Sequence, residues 1–233
     1  LARGIARVLA ERGDRIAITY RPGGTSPEAT LAELRAAGGD PFAIAADHDK
    51  PGETERSVHE AETQLGRLDI LVHAVGPIVV KRFAESTLDD YHSMVDGNLT
   101  SAVEAAFAVL PGMRARRFGR LIFFGMNGSE VTNPSYKMSL YAAAKAGVVA
   151  FARTLALEEA ANGITVNVVQ PGDIRDKTQD RSVAAAVPAN NPTGHAGSWE
   201  DVAYAVRMLV AGEAGFLNGV VLRVSGGSVE PHE

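Results

Sequence analysis

Tyr141 and Lys145, in Tyr141-Ala-Ala-Ala-Lys145, are the residues whose types and spacing best fit chemistry. Four residues is about one helical turn, so on a helix both side chains share a face. A lysine cation beside a phenol favours the phenolate. At roughly 4 Å and an effective dielectric near 20 the attraction is about 4 kcal/mol. That is enough to carry a tyrosine pKa from about 10 toward about 7. A phenol poised there can give or take a proton at a carbonyl or alcohol oxygen. A surface Tyr–Lys pair has the same spacing, so the motif needs context.

Other chemistries find little support. The chain has no cysteine, which removes disulfide frameworks, thiolate-bound zinc and thiol catalysis together and fits a cytoplasmic protein. It has no Gly-x-Ser-x-Gly elbow and no His-Glu-x-x-His site, and its six histidines are scattered, so no metal is expected. Asp89-Asp90 reads as the acidic first turn of a helix, not as paired catalytic carboxylates. A net charge of −5 argues against a nucleic-acid partner, which would need a basic face. No apolar run is expected to approach the roughly 18 residues of a membrane span, and no leader peptide is visible.

The elements that must hold Tyr141 and Lys145 alternate along the chain. Leu1–Gly13 reads as a helix with an apolar stripe of Leu1, Ile5, Val8 and Leu9. Arg15–Tyr20 is a β-rich run. Ser26-Pro27-Glu28 starts a helix to about Ala37, with Ser26 as N-cap. Strands are predicted at Pro41–Ala46, Leu68–Val75, Leu121–Phe124, Ile164–Val169 and Gly219–Val224. Helices are predicted at Glu53–Leu65, Leu88–Met113, Leu140–Asn162 and Trp199–Leu209. Continuous apolar strands between amphipathic helices imply a parallel sheet covered on both faces. Such sheets bind ligands at the carboxyl ends of their strands. The loose segment Asp173–Ser198 follows one strand and reads as a lid over the site.

In this context, Asn98 in Asp96-Gly-Asn-Leu-Thr100, His73-Ala-Val-Gly76 after Leu-Asp-Ile-Leu-Val72, and Pro171-Gly172-Asp-Ile174 fall in a telling order around Tyr141 and Lys145. The chain resembles the short-chain dehydrogenase/reductase family over essentially its whole length, to Leu222-Arg-Val-Ser-Gly-Gly227. The resemblance implies an α/β fold with a doubly wound, Rossmann-type parallel sheet in three layers, as a single dinucleotide-binding oxidoreductase domain over 1–233. It implies a tetrad in which Tyr141 is the acid/base, Lys145 binds the nicotinamide ribose, Asn98 holds a relay water, and a serine meets the substrate oxygen. It also implies cofactor contacts at Ala74, Gly76, Lys145, Pro171, Gly172 and Ile174, and at Asp47 for the adenine amine. The long helices Leu88–Met113 and Leu140–Asn162 resemble the pair that builds a homotetramer.

Three departures shape the expectations. The family's first strand and glycine-rich phosphate loop are not found, and Leu1-Ala-Arg-Gly-Ile-Ala6 looks like the helix that follows them. Tight dinucleotide binding is therefore not expected of the chain as written. The family's serine position holds Gly128, with Asn127 and Ser129 beside it; Ser129 is the candidate, with Asn127 or a backbone N–H as the alternative. His73 stands where asparagine is usual and is expected to pack at a strand end. At the end of the second family strand stands Tyr20-Arg21, with no acid adjacent in sequence, which favours NADP over NAD, with Arg3 assisting. The expected function is NADPH-dependent reduction of a ketone or 3-oxoacyl thioester, a small-molecule carbonyl or alcohol being the partner. C=C or C=N reduction, or a catalytically silent dinucleotide-binding regulator, are the alternatives.

Overall fold

Short apolar runs bounded by polar turns form strands here, and the stripes between them form helices. The computed structural model describes residues 1–175 and 180–228. Its order is α1 (Ala2–Glu11), β1 (Ala17–Tyr20), α2 (Glu28–Ala36), β2 (Phe42–Ala45), α3 (Glu53–Leu65) and β3 (Ile70–His73). Then come α4 (Leu88–Val95), α5 (Ser101–Arg116), β4 (Gly119–Phe124), α6 (Ser139–Glu159), β5 (Ile164–Pro171), α7 (Arg181–Ala184), α8 (Trp199–Leu209) and β6 (Val221–Val224). All strand pairs are parallel, β1 with β2, and β3-β4-β5-β6 in that order.

Side chains alternate across β4 because successive residues of a strand point to opposite faces. Leu121 and Phe123 join Val166 and Val168 of β5 under α5 and α6, whereas Ile122 and Phe124 join Val169 beneath α1 and α8. The sheet is thus buried on both faces, the three-layer α/β arrangement expected from the sequence. Among the described residues no strand lies between β1 and β3. A cavity of about 860 Å³ separates them, walled by Ile5 and Leu9 of α1 and by Val58 and Ala61 of α3.

Several expectations need correction. Ser26 does not cap α2: Pro27 holds the N-cap position, and Ser26 Oγ accepts only a long 3.4 Å bond from the Glu28 N–H. The helix expected over Leu88–Met113 is interrupted by a π-helical turn, Asp96–Thr100, between α4 and α5. With its 3₁₀ tail, α6 runs over Ser139–Asn162, and its most apolar 18-residue stretch has a mean hydropathy of 1.4, long and apolar enough in composition to cross a membrane, contrary to expectation. Its apolarity has another cause in this fold. Val148, Val149, Ala152, Leu155 and Ala156 recur every three or four residues and pack on β4 and β5. Asp89 and Asp90 do occupy a first helical turn, where Asp90 and Thr87 form a reciprocal cap. The segment expected to act as a lid includes α7 and a bridge between Pro188 and His195, while its residues 176–179 lie outside the described ones.

Candidate active site

At the carboxyl ends of β3 and β4 the structure gathers Gly76, Asn98 and Lys145, with Tyr141 one turn before Lys145 on α6. Each is placed by a different element. Gly76 follows β3 with φ +147°, a left-handed backbone that favours glycine. A Cβ on it would fall 2.1 Å from Asn98 Oδ1 and 3.4 Å from Lys145 Nζ.

Asn98 sits inside the π-helical turn and is wholly buried. A π turn shifts hydrogen bonds out of the α register and leaves carbonyls to be satisfied otherwise. Asn98 Nδ2 donates to the Met94 carbonyl at 2.9 Å and to the Pro77 carbonyl at 3.1 Å. Ser101 Oγ donates to the Gly97 carbonyl at 2.8 Å. Asn98 Oδ1 is buried with no hydrogen-bond partner among the described residues, and it faces the space beside Gly76. A buried amide oxygen left this way calls for a donor from outside the chain, such as a water or a ligand group. The orphaned oxygen, the glycine that makes room for it and the neighbouring lysine fit a polar ligand edge such as a nicotinamide ribose.

Lys145 Nζ donates to the Phe124 carbonyl at the end of β4, at 2.9 Å, and lies 5.7 Å from the centroid of the Tyr141 ring. Burial lowers the Lys145 pKa to about 8 and raises that of the Tyr141 phenol to about 12. The second direction is opposite to the lowering expected from the Tyr-x-x-x-Lys spacing. The physical reason is that the ammonium sits over the ring and bonds a carbonyl, so desolvation of the phenolate dominates.

Ser129 is buried in the turn after β4, and its Oγ accepts a 2.9 Å bond from Gln170 Nε2. Among the described residues no hydrogen bond joins Ser129 to Tyr141. Ser129 lines a smaller cavity of about 330 Å³ with Met126, Ser139 and Ala142. Asn127 Nδ2 donates to the Ser228 carbonyl at 3.3 Å. The Gly172 N–H donates to the Val224 carbonyl, Ile174 packs under Gly197, Pro171 ends β5, and Ala74 packs with the α1 and α8 face of the sheet.

At the other end of the cleft, Arg21, with no acid adjacent in sequence, has carboxylates beside it in space. It pairs with Asp47 at 3.1 Å and also with Asp49, and Arg3 pairs with Glu33 of α2. Sequence reasoning passed over Asp49 and Gln170. Gln170 had one signal, an amide at the end of an apolar strand just before Pro171-Gly172. The proximity of Asp49 to Arg21 had none, because it arises from the parallel pairing of β1 and β2.

His73 packs at the end of β3, with Nε2 3.0 Å from Ser101 Oγ. The single hydroxyl proton of Ser101 goes to Gly97, so His73 Nε2–H is assigned as the donor to Ser101. Burial first, and the Lys145 ammonium second, push its pKa down to about 3. Between about pH 6.5 and 3 the unfolded chain therefore binds a proton that the folded chain refuses. The stability that goes with neutral His73 is present above about 6.5 and is lost as pH falls, by up to about 1.4 kcal/mol per unit. Urea unfolding at about pH 7 and pH 5 is expected to show a loss about 2 kcal/mol larger in the wild type than in His73→Asn. Equal losses would show that another group governs acid stability.

Residues 1–228 match the family model described as enoyl-(acyl carrier protein) reductase. The chain is 32% identical over 230 residues to the 3-oxoacyl-[acyl-carrier-protein] reductase FabG of Escherichia coli K12, covering 97% of this chain and 92% of that protein. A blue fluorescent protein from a metagenomic library, solved in complex with NADPH, superposes with a TM-score of 0.83 at 31% identity, over 96% of this chain and 91% of that one. A Serratia marcescens short-chain dehydrogenase/reductase mutant superposes with a TM-score of 0.83 at 27% identity, over 97% and 91%. The parallel sheet, the residues gathered at its carboxyl edge and these relatives agree: the chain belongs to the short-chain dehydrogenase/reductase family and is an NAD(P)-dependent oxidoreductase.

Proposed function

We propose that this protein is an NADPH-dependent reductase of a ketone or 3-oxoacyl thioester, with Tyr141 as the proton donor. The observation that carries the reading is the joint placement of Lys145, Asn98 and Gly76 around one buried orphaned oxygen, with Tyr141 a turn away. Relatives named as 3-oxoacyl-[acyl-carrier-protein] reductases support the substrate class. When bound, the nicotinamide supplies the hydride.

The protein's own residues do the rest. Tyr141 is neutral at pH 7, since burial raises its pKa to about 12. It is therefore loaded with the proton that a carbonyl oxygen needs as it becomes an alcohol. Lys145, mostly an ammonium below about pH 8, steadies the phenolate left behind and holds the ribose. Asn98 Oδ1 anchors the water that returns a proton to Lys145. Ser129, or Asn127 in its place, steadies the substrate oxygen. Ala74, Gly76, Pro171, Gly172 and Ile174 line the nicotinamide half, with Asp47 on the adenine and Arg21 on the 2′-phosphate.

The test is NADPH consumption with simple ketones and acetoacetyl thioesters, against enoyl thioesters. Turnover of the enoyl compounds alone would favour C=C reduction, which the description of the matching family model makes the second reading. No turnover with any of them, with NADPH still bound, would favour a silent dinucleotide-binding regulator. A pH profile adds a second check. Reductive kcat/KM is expected to be level near neutrality and to fall as pH rises through about 8, where Lys145 loses its proton. A profile level to about pH 10 would remove Lys145 from the role.

Assembly follows from what α5 and α6 leave uncovered. Phe107 and Leu157 are 71% and 81% exposed, a large apolar area for two helices that otherwise build the core. The proposed state is a homotetramer that joins copies through these helices. Light scattering is expected to give four copies for the wild type and fewer for Phe107→Asp with Leu157→Asp. The absence of cysteine fits a reducing compartment, and the cytoplasm is proposed.

A further inference from the structure

Arg21 has two partners before any ligand arrives. Its Nε lies 3.1 Å from Asp47 Oδ1, and its Nη2 bonds Asp49 Oδ2. The two acids are not equivalent. Asp47 also faces Lys50 at 3.9 Å, whereas Arg21 is the cation within ion-pair distance of Asp49 among the described residues. The other oxygen of Asp49, Oδ1, is buried with no hydrogen-bond partner among the described residues, beside Gly97; a Cβ on Gly97 would lie 2.6 Å from it. The Asp49 carboxylate is thus wedged between the β2 end and the π-helical turn, and it cannot follow Arg21 outward. Arg21 itself is half exposed and lines the mouth of the large cavity with Arg3, Tyr20 and Thr25.

We propose that Asp49 is a specificity-determining residue: a fixed anion that competes with the cofactor's 2′-phosphate for Arg21 and so restrains the preference for NADP(H) over NAD(H). The inference rests on the reading of Arg21 as the group that meets this phosphate. Carboxylate and phosphate suit the same planar guanidinium fork, so Arg21 cannot serve both fully. Binding the phosphate requires Arg21 to leave Asp49, and the carboxylate stays nearby as a like charge. NADH has no 2′-phosphate and does not meet this competition.

Asp49→Asn keeps the side chain's shape and removes its charge. Titration calorimetry on the full chain with NADPH, NADH and adenosine 2′,5′-bisphosphate reads the effect directly. The two ligands that carry a 2′-phosphate are expected to bind about tenfold tighter, and NADH within about twofold of wild type. The gain should shrink as salt rises from about 0.1 M to 1 M, because the pair is solvent-facing and the screening length falls to about 3 Å. A structural role for Asp49 would not produce that salt dependence. Arg21→Asp separates the two levels of the inference. If it lowers NADPH affinity while Asp49→Asn changes no ligand, Asp49 has no such role and the reading of Arg21 stands. If Arg21→Asp leaves the NADPH-to-NADH ratio unchanged, the reading of Arg21 fails, and the role of Asp49 with it. Weaker binding of all three ligands to Asp49→Asn would equally overturn the proposal, showing that Asp49 shapes the pocket and does not compete within it.

Discussion

Tyr141→Phe is expected to lower kcat for carbonyl reduction by at least about a thousandfold while leaving the affinity for NADPH within about twofold. The asymmetry follows from what the hydroxyl does. Its pKa of about 12 keeps it protonated at neutral pH, which suits the proposed proton source in the first turn of α6 and not a charge that holds the cofactor. Among the described residues no protein group hydrogen-bonds to the phenol, so its removal leaves no buried partner stranded. The ring remains to pack, and Lys145 keeps its bond to the Phe124 carbonyl. Stopped assays with direct cofactor titration separate the two effects. Turnover within tenfold of wild type would take Tyr141 out of the acid role, and lost cofactor binding would make it a structural residue.

Gly76→Ala is expected to abolish activity and to destabilise the protein by about 2–4 kcal/mol. The added methyl would sit 2.1 Å from Asn98 Oδ1 and 2.9 Å from its Cγ, far inside contact distance. Asn98 cannot swing aside cheaply, since its amide nitrogen is held by the Met94 and Pro77 carbonyls and the side chain is wholly buried. The φ of +147° adds backbone strain for any residue with a Cβ. Moving Asn98 also moves the oxygen that marks the site. Thermal unfolding together with turnover tests this, and a folded variant with wild-type activity would show that the Gly76–Asn98 contact yields without consequence.

The layers were legible because burial on both faces writes itself as uninterrupted apolar strands. Leu121–Phe124 and Ile164–Val169 lie inside β4 and β5, and Trp199–Leu209 coincides with α8. The Tyr141–Lys145 pair was legible because one helical turn is a local rule. What could not be read was set at a distance. The raised phenol pKa depends on how much protein surrounds Tyr141 and on the carbonyl that captures Lys145, neither of which spacing encodes. The ion pairs of Arg21 were not legible because Asp47 and Asp49 are remote in sequence and meet it only through strand pairing. The break at Asp96 was hidden because a π turn is a shift of backbone hydrogen bonds, which residue spacing does not encode.

That π-helical turn sets how this stretch can vary in length through evolution. Surface connections tolerate gained or lost residues because their ends can be rejoined in many ways. The run from Thr87 to Arg116 has no such freedom, although it is helical throughout and exposed on one side. A π turn holds one residue more than the α repeat needs, and the surplus here falls at Asp96–Thr100. Losing a single residue would let α4 and α5 merge into one regular helix, intrinsically the more favourable backbone. Because the surplus is taken up within that turn, the same loss there would keep α5 in phase on β4, whereas a loss anywhere else in the run would turn every later side chain by about 100° relative to those before it. Asn98 would nevertheless lose the π register that holds it beside Gly76. Drift by substitution is open to this segment, whereas drift in length can be absorbed by the packing only at its least regular turn, and there it costs the placement of Asn98.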